Sequence, residues 1–553
     1  MQKNAIWIMC DQLRWDYLSC YGHPHLHTPN IDSLAEQGVK FNRAYVQSTV
    51  CGPSRMSAYT GRYMRSHGST WNGVPLNAGE LTLGDHLAPL GVRNVLVGKT
   101  HMVADKRGLD RLGIPHDSKI GQRIAQCGFE VYERDDGLHP DGDYDPAPDY
   151  DAYLAANGFE ADNPWEHWAN SAEGPNGEIL NGWLWAHADK PARIPNEHAE
   201  TPYMTRRAMD FIREAKADGR PWSMHLSYIK PHWPYMVSAP YHDMYCTEHL
   251  LPVVRDESER QSPHPLNRAF MDMKFSKNFS RDEVRERVIP AYMGLIKQID
   301  DQLGLLFSFL KENGLWDSTM IIFSSDHGEY LGDHWLGEKY LYHEQSMRIP
   351  LIVYDPSPEA DQSRGCASDE LVELIDVAPT LVDFFGGKPA THILEGRSLT
   401  PLLRGDKPSE WREAVFSEYD YSFDPARLAV GVSARDARIF IVFDGRWKMI
   451  HSINLPPLLF DLESDPNEFD NLAENPEFQN QLNRMKELLF SWAINPPTRT
   501  TLSNEFIESF DDALQVYDST LDEGIIIGYW DEAELEAEQK KRKDFLQQQA
   551  PAK

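Results

Sequence analysis

The sequence predicts an α/β fold: a large mixed sheet covered by helices on both faces, followed by a smaller α+β unit with an antiparallel sheet. Three observations carry this. Five apolar, β-rich runs show little alternation: "AIWIM" (5–9), "RNVLVGK" (93–99), "PWSMHLSYI" (221–229), "TMIIFSSD" (319–326) and "PLIVYD" (350–355). Such runs suit strands covered on both sides in a mostly parallel sheet. Helical stretches separate them, as parallel neighbours require. After Gly387 the texture changes to short strands with turn residues between them.

Each element has a local reason. "HTPNIDSLAEQGVKF" (27–41) reads as a helix with Thr28 as cap, Pro29 at the first helical position and Gly38 as a left-handed stop. Residues 284–312 form a long amphipathic stretch that stops at Asn313-Gly314, and "LIDVAPTLVDFFGG" (374–387) is a further helix with a glycine stop. Beyond it, "EAVFSEYDYSF", "ARIFIVFDGRWKMIHS" and "PLLFDLESDP" are short strands, with the Asp-Gly pair at 444–445 as a hairpin turn. A helix over 475–493 follows. The expected organisation is a catalytic domain over 1–387, an α+β subdomain over 388–495, and an extension over 496–553 that is either a solvated helical tail or an arm that packs on a second subunit. The stretch 130–200, rich in Asp, Pro, Gly and Trp, is expected to form loops near the active face.

Composition narrows the function. The 553 residues carry a formal net charge of −31, which argues against nucleic acid or an anionic membrane surface as partner. An anionic ligand then needs cations built into its own site. Six scattered cysteines fit a reducing compartment. The apolar run at the start leads straight into Asp11 and reads as a core strand, not a leader. No apolar stretch nears the ~20 residues of a membrane span. A cytoplasmic location is expected.

Two strand-like runs end in metal-ligand types, Asp11-Gln12 and Asp326-His327. Ligands in open α/β sheets bind beyond the carboxyl ends of strands, so a divalent cation between these ends is expected. Between the two runs in sequence lies "CGPSRMSAYTGR" (51–62), whose Cys51 is either a buried thiol near a helix start or something chemically particular. His23, His25 and His27 precede a proline and are expected at the surface, while Cys10 and Cys20 are expected in the core.

With these motifs, the chain resembles the type I, formylglycine-dependent sulfatases of the alkaline phosphatase superfamily, in the branch with arylsulfatases, choline-sulfatase-like enzymes and phosphonate monoester hydrolases. The resemblance spans most of the chain. It also includes "GKTH" (98–101), "KPHWPY" (230–235), "SSDHGEYLGDHWLGEKYLYHEQSMRIPL" (324–351) and "LFDLESDPNEFDNL" (459–472). It implies an alkaline-phosphatase-like fold and conversion of Cys51 to formylglycine by a formylglycine-generating enzyme. A hydrated aldehyde is a geminal diol: one hydroxyl attacks sulfur and the other later expels sulfate, so water need not strike a covalent ester.

By motif position the resemblance further implies that Asp11, Gln12, Asp326, His327 and position 51 hold one divalent metal. Arg55 would steady the nucleophile and the metal-side charge, and Asn72 would contact substrate oxygens. Lys99 and His101 form the sulfatase Lys-x-His pair, His101 removing the proton that triggers sulfate release. His232 and Lys339 would bind the transferred group, one of them protonating the leaving oxygen. Asp333-His334 is not expected to form a second metal pair. Trp71, Trp233 and Tyr235 are candidate pocket walls.

Two departures shape the expectation. Gln12 stands where many sulfatases have an acid, and His327 where many have asparagine, so manganese is favoured, with calcium or zinc compatible. Lys99 and His101 are sulfatase-like inside a site that otherwise resembles phosphonate hydrolases. The expected function is sulfate monoester hydrolysis on a small anionic ester, with phosphonate monoester or phosphodiester hydrolysis as the alternative. A non-catalytic binder or a two-zinc phosphomonoesterase fits less well. A homodimer or homotetramer is expected.

Overall fold

The computed structural model describes residues 3–137, 148–508 and 529–549. Met1–Pro389 with Leu394–Pro496 form one compact unit; Ala390–Ile393 with Pro497–Lys553 form a second, which carries a helix over Glu532–Gln549.

The first unit is built on a nine-stranded mixed sheet: β1 (Asn4–Asp11), β2 (Val39–Tyr45), β3 (Arg93–Gly98), β4 (Glu130–Arg134), β5 (Trp222–Pro231), β6 (Thr319–Ser325), β7 (Arg348–Tyr354), β8 (Cys366–Ser368) and β9 (Val372–Glu373). Their order is β8-β2-β7-β6-β1-β5-β3-β4, with β9 also pairing β2. β1 lies parallel to both β5 and β6, and β7 runs antiparallel between β6 and β2. β1 shows why these strands lack alternation. Ile6, Ile8 and Cys10 enter one core while Ala5, Trp7 and Met9 enter the other. Successive side chains point to opposite faces, and here both faces are covered.

The first core takes its helical side from α1 (Pro29–Gln37), α3 (Glu200–Asp218) and α4 (Asp282–Glu312); the second from α2 (Cys51–Thr60) and α5 (Val377–Phe384). A four-stranded antiparallel sheet follows: β10 (Val415–Asp420), β11 (Arg438–Phe443), β12 (Trp447–Ser452) and β13 (Leu458–Asp461), in sequential order. The hairpin at Asp444-Gly445 forms as expected, with Gly445 at φ +94°. α6 (Gln479–Ile494) packs Leu482 and Met485 on one face of this sheet. Its other face meets Tyr330, Leu336 and Tyr342 from the loop after β6.

Several local expectations need correction. Thr28 does not cap α1 through its side chain. Asp300 of α4 does so instead, its Oδ1 accepting from the N–H groups of Asn30 and Ile31 at 2.9 Å each. Gly38 is not a left-handed stop either, since its φ is −120°. It is glycine because a Cβ there would stand 2.4 Å from the carbonyl oxygen of Val353 on β7. α4 begins two residues earlier than its apolar pattern, at Asp282. His23 is buried, its Nδ1 accepting from Leu26 N at 2.9 Å, and burial pushes its pKa down to about 4. Cys20 is only half-buried. The stretch 130–200 contains β4, a helix over Asp149–Ala156 and strands of a third small sheet; residues 138–147 of it lie outside the described residues.

Gly38→Ala is expected to lower stability by about 1–3 kcal/mol through overpacking against β7. Urea denaturation measures it. An unchanged midpoint would refute the close-approach explanation.

Candidate active site

The site forms where parallel strands end together. β1 and β6 pair Cys10 with Ser325, so Asp11 and Asp326 emerge side by side. α2 points its first residue, Cys51, at them. Each residue of the motif has a local task. Gly52 lies so close to Asn72 that a Cβ would stand 2.7 Å from Asn72 Oδ1. Pro53 sits in the first turn, where a missing N–H costs nothing. Ser54 Oγ donates to Asp326 O at 2.6 Å. Arg55 donates from Nε to Asp326 Oδ2 at 2.7 Å and from a guanidinium nitrogen to Asp11 Oδ2 at 3.3 Å. Its remaining donors reach Lys99 O at 3.0 Å and Ser227 Oγ at 2.8 Å.

The structure brings the expected residues together. Cys51 Sγ lies 3.1 Å from His327 Nε2, 3.1 Å from Lys339 Nζ and 3.7 Å from Asp11 Oδ1. Lys339 Nζ also donates to Gln12 Oε1 at 3.2 Å and to His232 Nε2 at 3.1 Å. Lys99 Nζ pairs with Asp11 Oδ2 at 2.6 Å, and the His101 side chain, beside Cys51, is among the groups that lower its pKa. Asn72 lies next to Cys51, but its Oδ1 is committed to the Gly52 N–H at 2.8 Å. Arg55 acts chiefly as a brace between the two carboxylates.

Electrostatics follow from this crowding. Burial opposes ionisation of the Cys51 thiol, yet Lys339, His327 and Lys99 hold its pKa well below the usual range. Burial and Cys51 likewise push Asp11 up, but Lys99, His232 and Arg55 keep it low. Burial, helped by Lys339, drops His232 to about 4, so its imidazole is neutral at pH 7. Its Nδ1 donates to Trp233 O at 2.6 Å, which leaves Nε2 as the acceptor for Lys339. The Asp326 carboxylate and Cys51 raise His327 against burial.

The donor set fits a cation. Ligand atoms of Asp11, Cys51, Asp326 and His327 all lie within 4.8 Å of one another, and all four residues are buried. Glu329, missed in the sequence, completes the arrangement. It accepts from Gln12 Nε2 and from Tyr235 OH, the latter at 3.2 Å, while Leu331 N donates to its other oxygen at 3.1 Å. The Gln12 amide is thereby turned with Oε1 inward. The available signal was a third polar residue right after Asp326-His327-Gly328. Of the expected pocket walls, Tyr235 is a buried packing residue, while Trp71 stacks on Tyr340 and Phe423. Asp333 is taken by Arg14 at 2.7 Å, and His334 by Glu259 at 2.7 Å. His334 and His343 stack at 3.9 Å and 16°. With Glu259 they bring three ligand atoms within 4.8 Å of one another.

Comparison with known proteins agrees with this geometry. The family model described as Sulfatase matches residues 3–387, and one described as N-sulphoglucosamine sulphohydrolase, C-terminal, matches residues 332–494. A relative from Trinickia caryophylli, named multifunctional alkaline phosphatase superfamily protein PehA, is 35% identical over 523 residues, covering 90% of this chain and 96% of its own. A choline-sulfatase from Rhizobium meliloti is 30% identical over 484 residues, covering 86% and 83%. The structure of a phosphonate monoester hydrolase from Silicibacter pomeroyi superposes with a TM-score of 0.78 at 27% identity, covering 91% of this chain and 97% of that one. The chain therefore belongs to the sulfatase family, in the branch of the alkaline phosphatase superfamily that it shares with phosphonate monoester hydrolases.

Proposed function

We propose that the chain hydrolyses sulfate monoesters, aryl sulfates among them, with an oxygen nucleophile at position 51 and one divalent cation. The observation that carries the sulfate reading is the pair Lys99 and His101 at the site, Lys99 Nζ 2.6 Å from Asp11 Oδ2 and both side chains lowering the Cys51 pKa. The oxygen nucleophile is formylglycine, made from Cys51 by a maturating enzyme. The Lys339 Nζ donor 3.1 Å from Sγ supports it, because that separation belongs to N–H···O bonds. A cation held by Asp11, Gln12, Asp326, His327 and position 51 supplies Lewis-acid charge for the ester oxygens. Two carboxylates, an amide oxygen and an imidazole favour manganese, with calcium or zinc compatible.

The chain's own groups divide the proton work. Lys339 Nζ holds the proton destined for the leaving oxygen, since His232 Nε2 accepts from it and carries none. His101 is placed to take a proton from position 51 in the release half of turnover. Lys99 and Arg55 neutralise Asp11 and Asp326, so an anionic ester meets no bare carboxylate. Phosphonate monoester hydrolysis is the second reading. The phosphonate monoester hydrolases of Silicibacter pomeroyi and Agrobacterium radiobacter, similar in structure, favour it.

Three outcomes test this. Matured protein is expected to weigh about 18 Da less than the encoded chain, thiol having become aldehyde, and Cys51→Ala to lose turnover while keeping its fold. Full activity in Cys51→Ala refutes the nucleophile. Elemental analysis is expected to give about one divalent ion per chain, with Asp326→Ala and His327→Ala losing metal and activity together. Two tightly held zinc ions would overturn that. Finally, kcat/KM for an aryl sulfate is expected to exceed that for an aryl phosphonate monoester by at least about tenfold, or ~1.4 kcal/mol. The reverse ranking establishes the second reading.

A further inference from the structure

The turn Lys99-Thr100-His101 leaves β3 and cannot hold itself. His101 sits at φ +57°, a left-handed conformation that strains a side-chain-bearing residue and persists only when its surroundings impose it. The imposing group is Asp136, two residues past the end of β4. Its Oδ1 accepts from Thr100 N at 2.8 Å and from His101 N at 2.9 Å. Its Oδ2 is held by Arg134, with Nε at 3.0 Å and a second guanidinium nitrogen also in contact. Arg134 in turn donates to Met102 O at 2.8 Å, closing a ring around the turn. The strand ends are locked as well, Asp135 N donating to Gly98 O at 3.2 Å. Burial works against the Asp136 carboxylate, yet Arg134 and the His101 N–H keep it ionised.

We infer that Asp136 is a positioning residue for His101: two backbone N–H bonds to one partly buried carboxylate oxygen fix the turn that carries the imidazole towards position 51. This rests on the sulfate reading above for its kinetic signature only. Asp136 touches neither the nucleophile nor any metal ligand. Its effect passes through the turn.

The test is a double-mutant cycle of Asp136→Ala and His101→Ala, followed on an aryl sulfate by stopped flow. Each single variant is expected to give a burst of phenol near one equivalent, then a steady rate lowered about 10²-fold, the size of effect an ångström-scale misplacement produces. The double variant is expected to be no slower than His101→Ala alone. Multiplicative losses, or a raised KM without a burst, overturn the proposal. Asp136→Asn keeps one acceptor oxygen and is expected to recover part of the release rate; equal loss in both Asp136 variants counts against the proposal. A crystal structure of either variant gives a readout independent of substrate. The left-handed turn at His101 is expected to relax, and an unchanged backbone over 99–101 refutes the positioning role whatever the wild type hydrolyses. Wild-type inactivity on the aryl sulfate would instead refute the sulfate reading.

Discussion

The buried guanidinium of Arg55 is the interaction on which the site depends. It touches β1 through Asp11, the end of β6 through Asp326, the end of β3 through Lys99 O and β5 through Ser227. Helix α2 is thus registered against four strands by one planar cation. Arg55, Asp11 and Asp326 are wholly buried, and desolvating each ion costs several kcal/mol. That cost is met because the cation faces both carboxylates and two of its other N–H groups reach Lys99 O and Ser227 Oγ. Breaking such a group strands the other charges, typically at about 3–5 kcal/mol. The arrangement therefore fixes the nucleophile and the carboxylates together or not at all.

A second constraint reaches the site from the C-terminal sheet. The loop after β6 carries Lys339 and holds Leu331, His334, Trp335, Glu338, Tyr340 and Leu341 at positive φ. So many strained residues in one segment need external support. Lys448 of β12, fully buried, provides it: Nζ bonds Tyr342 O at 3.2 Å and pairs with Glu344 at 2.7 Å and Glu468 at 2.8 Å. Glu468 also accepts from Glu344 N at 2.9 Å. The stretch "LFDLESDPNEFDNL" thereby has a physical purpose. It holds the far side of the loop whose near side places Lys339 at position 51.

What was legible in the sequence was what local chemistry decides. Buried strands announce themselves by unbroken apolar runs, and Asp11, Asp326 and Cys51 stand directly at strand or helix ends. The motif residues Lys99, His101, His232 and Lys339 were legible as a joint pattern, though none of them is distinctive alone. The rest depended on partners far away in the chain. Gly38 answers to Val353, α1 is capped by Asp300, and His23 is buried by the fold around it. Asp136 and Glu329 were invisible for the same reason: an acidic residue signals a role only when its acceptors' partners are known. Arg55 was legible as a site residue, but its work as a brace needed three dimensions.

The formal charge of −31 and the anionic ester are reconciled by distance and dielectric. Surface carboxylates act through water and salt, where the Debye length is about 8 Å, so their repulsion fades before contact. Lys339 and Lys99 act inside a buried site, where one opposite charge at 4 Å is worth about 4 kcal/mol at an effective dielectric of 20. A few local cations thus outweigh many distant anions. Lys99 and Arg55 are largely spent on Asp11 and Asp326, which leaves Lys339 as the principal protein cation facing the transferred group. Under the function proposed above, Lys339 would bind the ester as a cation, with His232 neutral beside it, and then give its proton to the leaving oxygen, because each role belongs to a different moment of the reaction. A carboxylate in place of Gln12 would draw Lys339 into a salt bridge, and the amide leaves that charge available. The departure at position 12 is in that sense matched to the lysine across from it.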